Sequence, residues 1–93
     1  MKFTWHEPKR QQNLKKHGLD FANAHKVLNG PTLIFEDTRE NYNEQRMISV
    51  GMLDCLVVLV VHVESADEIR IISMRKATHH ETDQYYEYLG HTG

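Results

Sequence analysis

Ile69-Arg70-Ile71-Ile72-Ser73-Met74-Arg75-Lys76-Ala77, followed by Thr78-His79-His80-Glu81, is the stretch on which the fold turns. Its first half alternates in the manner of a strand and its second half opens a helix, so a sheet ends here and a C-terminal helix begins. Thr78 and Glu81 stand at capping-box spacing, where hydroxyl and carboxylate each serve the other's backbone N–H. Arginine enters the strand at Arg70 and stands again at its exit, Arg75. A face that only needs burial does not ask for guanidinium at both ends. The expectation is a small phosphate-handling site at the rim of the sheet. The alternative is that the same cations hold the fold or a protein partner.

The segments upstream read as strands feeding into this one. Arg46 to Met52 alternates, with Arg46, Ile48, Val50 and Met52 on one face and Met47, Ser49 and Gly51 on the other. Cys55 to Val63 is almost wholly apolar and β-branched, which marks a central strand buried on both faces. Leu53-Asp54 and Glu64 to Asp67 are short turns. Connections this short cannot cross over, so these strands form an antiparallel meander. Thr32 to Phe35 is β-prone and adds a fourth strand, and Asp37 to Gln45 is a polar loop. Cys55 has no second cysteine to pair with, so no intrachain disulfide forms; it is expected buried in its strand, in a reducing compartment.

Before the meander, Lys2-Phe3-Thr4-Trp5 is a short strand, and Glu7-Pro8 opens a helix that runs to about Lys16. Lys9, Asn13, Lys16 and His17 share one face of it, and His17-Gly18 ends it. Asp20 caps a second helix over Phe21 to Leu28, which Asn29-Gly30-Pro31 breaks. The last helix carries Thr82, Tyr85, Tyr86 and Leu89 on one face; Gly90 is expected to end it, leaving a mobile tail at 90–93. The order β-α-α-β-β-β-β-α predicts a single α+β domain over residues 1–93: a meander sheet with a short N-terminal strand, two N-terminal helices and one C-terminal helix.

The chain of 93 residues has a formal net charge of −2, and that balance is uneven. Residues 1–26 sum to +4 and residues 27–93 to −6. A basic N-terminal block can attract nucleic acid locally, although dedicated nucleic-acid binders are more basic overall. The opening residues do not read as a signal peptide, and the apolar run from Cys55 to Val61 is too short for a bilayer, so no membrane partner is expected. His79, His80 and Asp83 form one small cluster without a second set of ligands, so neither a metal nor a cofactor is expected.

Phe3-x-Trp5-x-Glu7-x-Lys9, then Asn13-x-x-Lys16-His17-Gly18-x-x-Phe21-x-x-Ala24, resembles the opening of the BrnT family. Glu44-x-Arg46 with Gly51, and Ile69-Arg70-Ile71-Ile72-Ser73-x-Arg75-x-Ala77 with Glu81 and Tyr85, resemble its second half. The likeness runs from Phe3 to about Tyr86. It implies a RelE-like fold and a cytoplasmic bacterial type II toxin, a ribonuclease that blocks translation. It implies neutralisation by a BrnA-type antitoxin whose ribbon-helix-helix part contacts operator DNA, with a homodimer or a heterotetramer as the assembly. His6 stands where the family usually has aspartate, and Met74 where it usually has alanine.

RNA cleavage by its own 2′-oxygen needs a proton removed, a proton donated and a crowded anionic phosphorane stabilised, all without metal. Arg75 is the first candidate to clamp the phosphate, because guanidinium binds it bidentately, and Arg46 is the second. Pairing of either with Glu44, Glu68 or Glu81 is the structural alternative. His17 is the proton-transfer candidate by residue type, or else a histidine bonded to the last carbonyls of its helix. Glu44 is a base or an orienter of Arg46. Lys9, Lys16, Arg70 and Tyr85 are candidate RNA contacts; their alternatives are a solvated face, a structural ion pair and a core aromatic. His25 and His62 read as core or edge residues. The decisive expectation is that Arg75, Arg46 and His17 converge.

Overall fold

The computed structural model describes residues 1–92, with side chains described through residue 90. Strand β1 (Lys2–Trp5) leads into α1 (Glu7–His17), then a 3-10 turn (Phe21–Asn23) continuous with α2 (Ala24–Leu28). Strands β2 (Leu33–Glu36), β3 (Met47–Leu53), β4 (Leu56–Glu64) and β5 (Glu68–Lys76) follow, and α3 (His79–Thr92) closes the chain. The sheet order is β1-β5-β4-β3-β2. β2 to β5 form the expected antiparallel meander, while β1 lies parallel to β5, so the five-stranded sheet is mixed.

β4 is central and carries an apolar residue toward each face in turn. Val58 and Val60 pack with Ile71, Met74 and the Phe21, Ala24 and Val27 side chains. Val57, Leu59 and Val61 pack with Ile48, Val50 and Tyr85. The first cluster lies under α2 and its 3-10 turn and the second under α3, so one run of sequence feeds two cores. α2 comes close to β3 at Gly51, where an added Cβ would stand 3.0 Å from Val27 Cγ1 and 3.1 Å from Thr32 Cγ2.

Three expectations change. Asp20 caps a 3-10 turn rather than a full helix, accepting the Ala22 N–H at 2.9 Å, and only Ala24–Leu28 is α-helical. Cys55 is exposed: it belongs to the two-residue turn after β3, where Asp54 takes a φ of 55° and Leu53 pairs with Leu56. The turn claims Cys55 before the strand can begin. α3 continues past Gly90 to Thr92, because glycine alone does not stop a helix whose backbone bonds can continue; the last residue of the expected tail lies outside those described.

One irregularity governs where the arginines go. Val61 pairs with Ser73 and His62 with Ile71, so Ile72 is an extra residue in β5, a β-bulge. Ile71 and Met74 therefore both face the α2 side, although they are an odd number of positions apart. Beyond the bulge the phase is reversed: Arg75 stands opposite Leu59, on the α3 side.

Candidate functional site

β1 pairs with β5 only as far as Ile71, so the outer edge of β5 is open from Ile72 onward. α1 lies across that opening. Asn13 pins it there: its Oδ1 accepts the Met74 backbone N–H at 3.1 Å, and its Nδ2 donates to the Leu19 carbonyl at 3.1 Å. Both groups of a buried amide are thus satisfied, one on each element it joins. Between α1 and the strand edge is a hollow of about 370 Å³, into which Lys9, Lys16, His17, Arg46 and Ser73 face.

The sequence expectation that Lys9, Asn13, Lys16 and His17 share a face is met, and that face meets Arg46. Among the described residues no acidic side chain lines this hollow. Arg10 of the same helix is neutralised elsewhere: it forks onto Asp20 at 2.8 and 3.0 Å and reaches Glu7 at 2.7 Å. His17 closes α1, and Gly18 at φ 70° turns the chain away while its N–H bonds the Leu14 carbonyl at 2.8 Å. Among the described residues no hydrogen bond engages the His17 ring, so the expected carbonyl-capping alternative is not what holds it.

Arg46 immediately precedes β3, and its carbonyl accepts the Asp37 N–H at 2.8 Å. The guanidinium carbon of Arg46 lies 4.0 Å over the Tyr42 ring. Its Nε is buried and without a hydrogen-bond partner, with the nearest Glu44 oxygen at 3.9 Å. Glu44 instead accepts from Arg70 Nη2 at 2.5 Å. His6, Lys9, Glu44, Arg46 and Arg70 surround a second hollow that shares Lys9 and Arg46 with the first. The two form one cationic trough, and Arg46 stands at the seam. His6 makes no side-chain bond to the helix it precedes.

Two expected members are elsewhere. Arg75 does not line the hollow with Arg46 and His17; it stands near the end of β5, opposite Leu59, where α3 begins. There it donates to Glu81 at 2.8 and 2.9 Å in a bidentate fork. Glu81 also accepts the Thr78 N–H at 2.8 Å, and its own N–H donates to Thr78 Oγ1 at 3.2 Å, which completes the capping box. The Arg75 fork, with these bonds, holds the Glu81 carboxyl down at about 2. Tyr85 is fully buried and its hydroxyl donates to the Pro31 carbonyl at 2.7 Å, so it packs the core and cannot stack a base.

Sequence reasoning missed Tyr42, which it left in a featureless polar loop. It also missed the seat of that ring: the buried carboxylate of Asp37, held by Arg39 at 2.7 and 2.8 Å. Asp-x-Arg is a local signal for such a fork, but nothing in the sequence says the loop folds over Arg46. His62 is buried, as expected, with Nε2 2.7 Å from Ser49 Oγ.

Residues 5–81 match the sequence model of a family described as the ribonuclease toxin, BrnT, of the type II toxin–antitoxin system. The crystal structure of the Brucella abortus ribonuclease toxin BrnT superposes with a TM-score of 0.68 at 32% identity, over 84% of this chain and 97% of that one. No curated protein sequence matches the chain.

Proposed function

This chain belongs to the BrnT family of type II toxin–antitoxin ribonuclease toxins, and we propose that it is a metal-independent endoribonuclease whose site is the trough between α1 and the open edge of β5. The observation that carries the reading is the hollow lined by Lys9, Lys16, His17 and Arg46 with no carboxylate among them. Such a site attracts a phosphodiester and does not cancel its own charge.

Arg46 faces the phosphate, and its guanidinium, held in no bidentate carboxylate fork, stabilises the negative charge that grows as the 2′-oxygen attacks. His17 moves the proton at the reacting centre. Lys9 and Lys16 hold the RNA backbone along α1. Glu44 is engaged by Arg70, which supports a role in ordering the second hollow ahead of a role as base. Arg70 extends the trough to the neighbouring nucleotide. Arg75 is left out of the reaction; it anchors the start of α3 through Glu81. The products are a 2′,3′-cyclic phosphate and a 5′-hydroxyl, and RNA loss stops translation in the cytoplasm.

The type II family carries an antitoxin partner. The proposed partner is a BrnA-type protein with a ribbon-helix-helix part, through which the complex reaches operator DNA, as a heterotetramer or around a toxin homodimer. Purified protein is expected to cut RNA in EDTA and leave a cyclic-phosphate end. Intact RNA in EDTA, from protein that still binds its antitoxin, would replace this reading with a non-catalytic binding module that serves transcriptional control.

A further inference from the structure

Arg46 has a neighbouring carboxylate, but that group is not its support. The nearest Glu44 oxygen is 3.9 Å from Nε and already bonded to Arg70. The guanidinium lies over the face of Tyr42, with Cζ 4.0 Å from the ring centroid. Tyr42 is itself fixed at its far end, where its hydroxyl donates to Asp37 Oδ2 at 3.3 Å. Asp37 is buried, and the Arg39 side chain and backbone N–H bond it at 2.8, 2.7 and 3.2 Å. Its own backbone N–H donates to the Arg46 carbonyl at 2.8 Å and closes the base of the loop. One buried aspartate thus holds both the main chain of Arg46 and, through Tyr42, its side chain.

The choice of an aromatic face has a chemical consequence. A carboxylate under Arg46 would occupy its N–H groups and cancel its charge. A ring attracts the cation through its quadrupole and holds the guanidinium plane without taking up its terminal N–H groups. We infer that Tyr42 is the positioning residue for Arg46: its ring is the shelf that sets the guanidinium at the seam of the two hollows, and Asp37 sets the ring. The inference rests on the trough being the RNA site.

The test is cleavage of one RNA oligonucleotide by the full chain, reading kcat and KM with melting curves for each variant. Tyr42→Phe keeps the ring and loses only its bond to Asp37 at 3.3 Å, and is expected to lower kcat far less than the loss of the ring does. Tyr42→Leu is expected to lower kcat about 10- to 100-fold, with KM moved much less. In an Arg46→Ala background Tyr42→Leu is expected to add nothing, because the shelf acts only through Arg46. Effects that multiply in the double variant, or a Tyr42→Leu enzyme within about threefold of the parent, overturn the inference and leave the trough standing. Cleavage unchanged by Arg46→Ala removes the trough itself, and the inference with it. An independent readout needs no activity: the Arg46 side-chain protons are expected at high field from the ring current of Tyr42, and to stay there in Tyr42→Phe. Ordinary shifts for those protons in the parent protein refute the shelf, whether or not Tyr42→Leu folds.

Discussion

Asn13 and Met74 are 61 positions apart, and the side chain of the first completes the backbone of the second. β5 loses its parallel neighbour after Ile71, and an open N–H there would be buried by α1 without a partner. Asn13 supplies the acceptor, and its amide N–H₂ meets Leu19 at the far end of the turn after α1. Asn13→Ala leaves a buried donor and a buried acceptor, so a loss of about 2–4 kcal/mol is expected in chemical denaturation. Asn13→Asp keeps the acceptor and forfeits the donor, and is expected to fall between the two. Because Asn13 also sets the distance between α1 and Ser73, Asn13→Ala should lower RNA cleavage even at temperatures where it remains folded.

Gly51 is where helix and sheet come closest. Val27 Cγ1 at 3.0 Å and the Val27 carbonyl at 3.3 Å leave no room for a methyl group. Gly51→Ala must push Val27 and Thr32 back, and overpacking of this kind costs about 1–3 kcal/mol. The site is on α1, at some remove, so activity per folded molecule should be kept. A variant as stable as the parent would mean that these neighbours give way freely.

Much of this architecture was legible in the sequence. Alternation in Arg46 to Met52 and the apolar run after Cys55 gave the meander, and helical spacing brought Lys9, Lys16 and His17 to one face. Arg75 is a candidate by its place at the strand's exit and its guanidinium chemistry, which fit a phosphate and the Glu81 fork equally well. Strict alternation keeps Ile69, Ile71, Ser73 and Arg75 together, and only the pairing with β4 reveals Ile72 as a bulge. Tyr42 escaped because a loop has no period; its place is fixed by a buried carboxylate and not by any pattern. Tyr85 was ambiguous because a core aromatic and a base-stacking one have the same helical spacing.

His62 lies in the interior at the bulge, with Ser49 on Nε2 and, on Nδ1, no hydrogen-bond partner but a Glu64 oxygen 3.6 Å away. Burial lowers its pKa below the ordinary 6.5, and the charge of Glu64 offsets this only in part. The unfolded chain binds this proton more tightly, so the contribution is fully present above about pH 6.5 and lost as pH falls below it. Unfolding free energy is expected to decline from pH 7 to pH 5. His62→Gln, which can still bond Ser49, should flatten that slope. An unchanged slope in the variant would assign the decline to another group.

Arg46 and Arg75 look alike in sequence and are expected to behave oppositely. Glu81 has its carboxyl lowered from 4.5 to about 2, chiefly by the Arg75 fork. A depressed folded pKa gives stability above the unfolded value that is lost as pH falls through the folded one, here between about 4.5 and 2. With the Arg75 side chain 40% exposed, solvent screening trims the gain to about 1–2 kcal/mol at pH 7. Arg75→Leu should lose that amount and with it the Glu81 part of the acid transition, and leave cleavage within about threefold of the parent. Arg46 has no such fork. Arg46→Ala should change the melting temperature little and lower kcat by about 10²–10³, the effect of removing a donor aimed at developing charge. Paired denaturation and cleavage measurements on both variants decide it. Should Arg75→Leu abolish cleavage in a fully folded protein, phosphate chemistry belongs to the α3 face, and the trough is a binding surface alone.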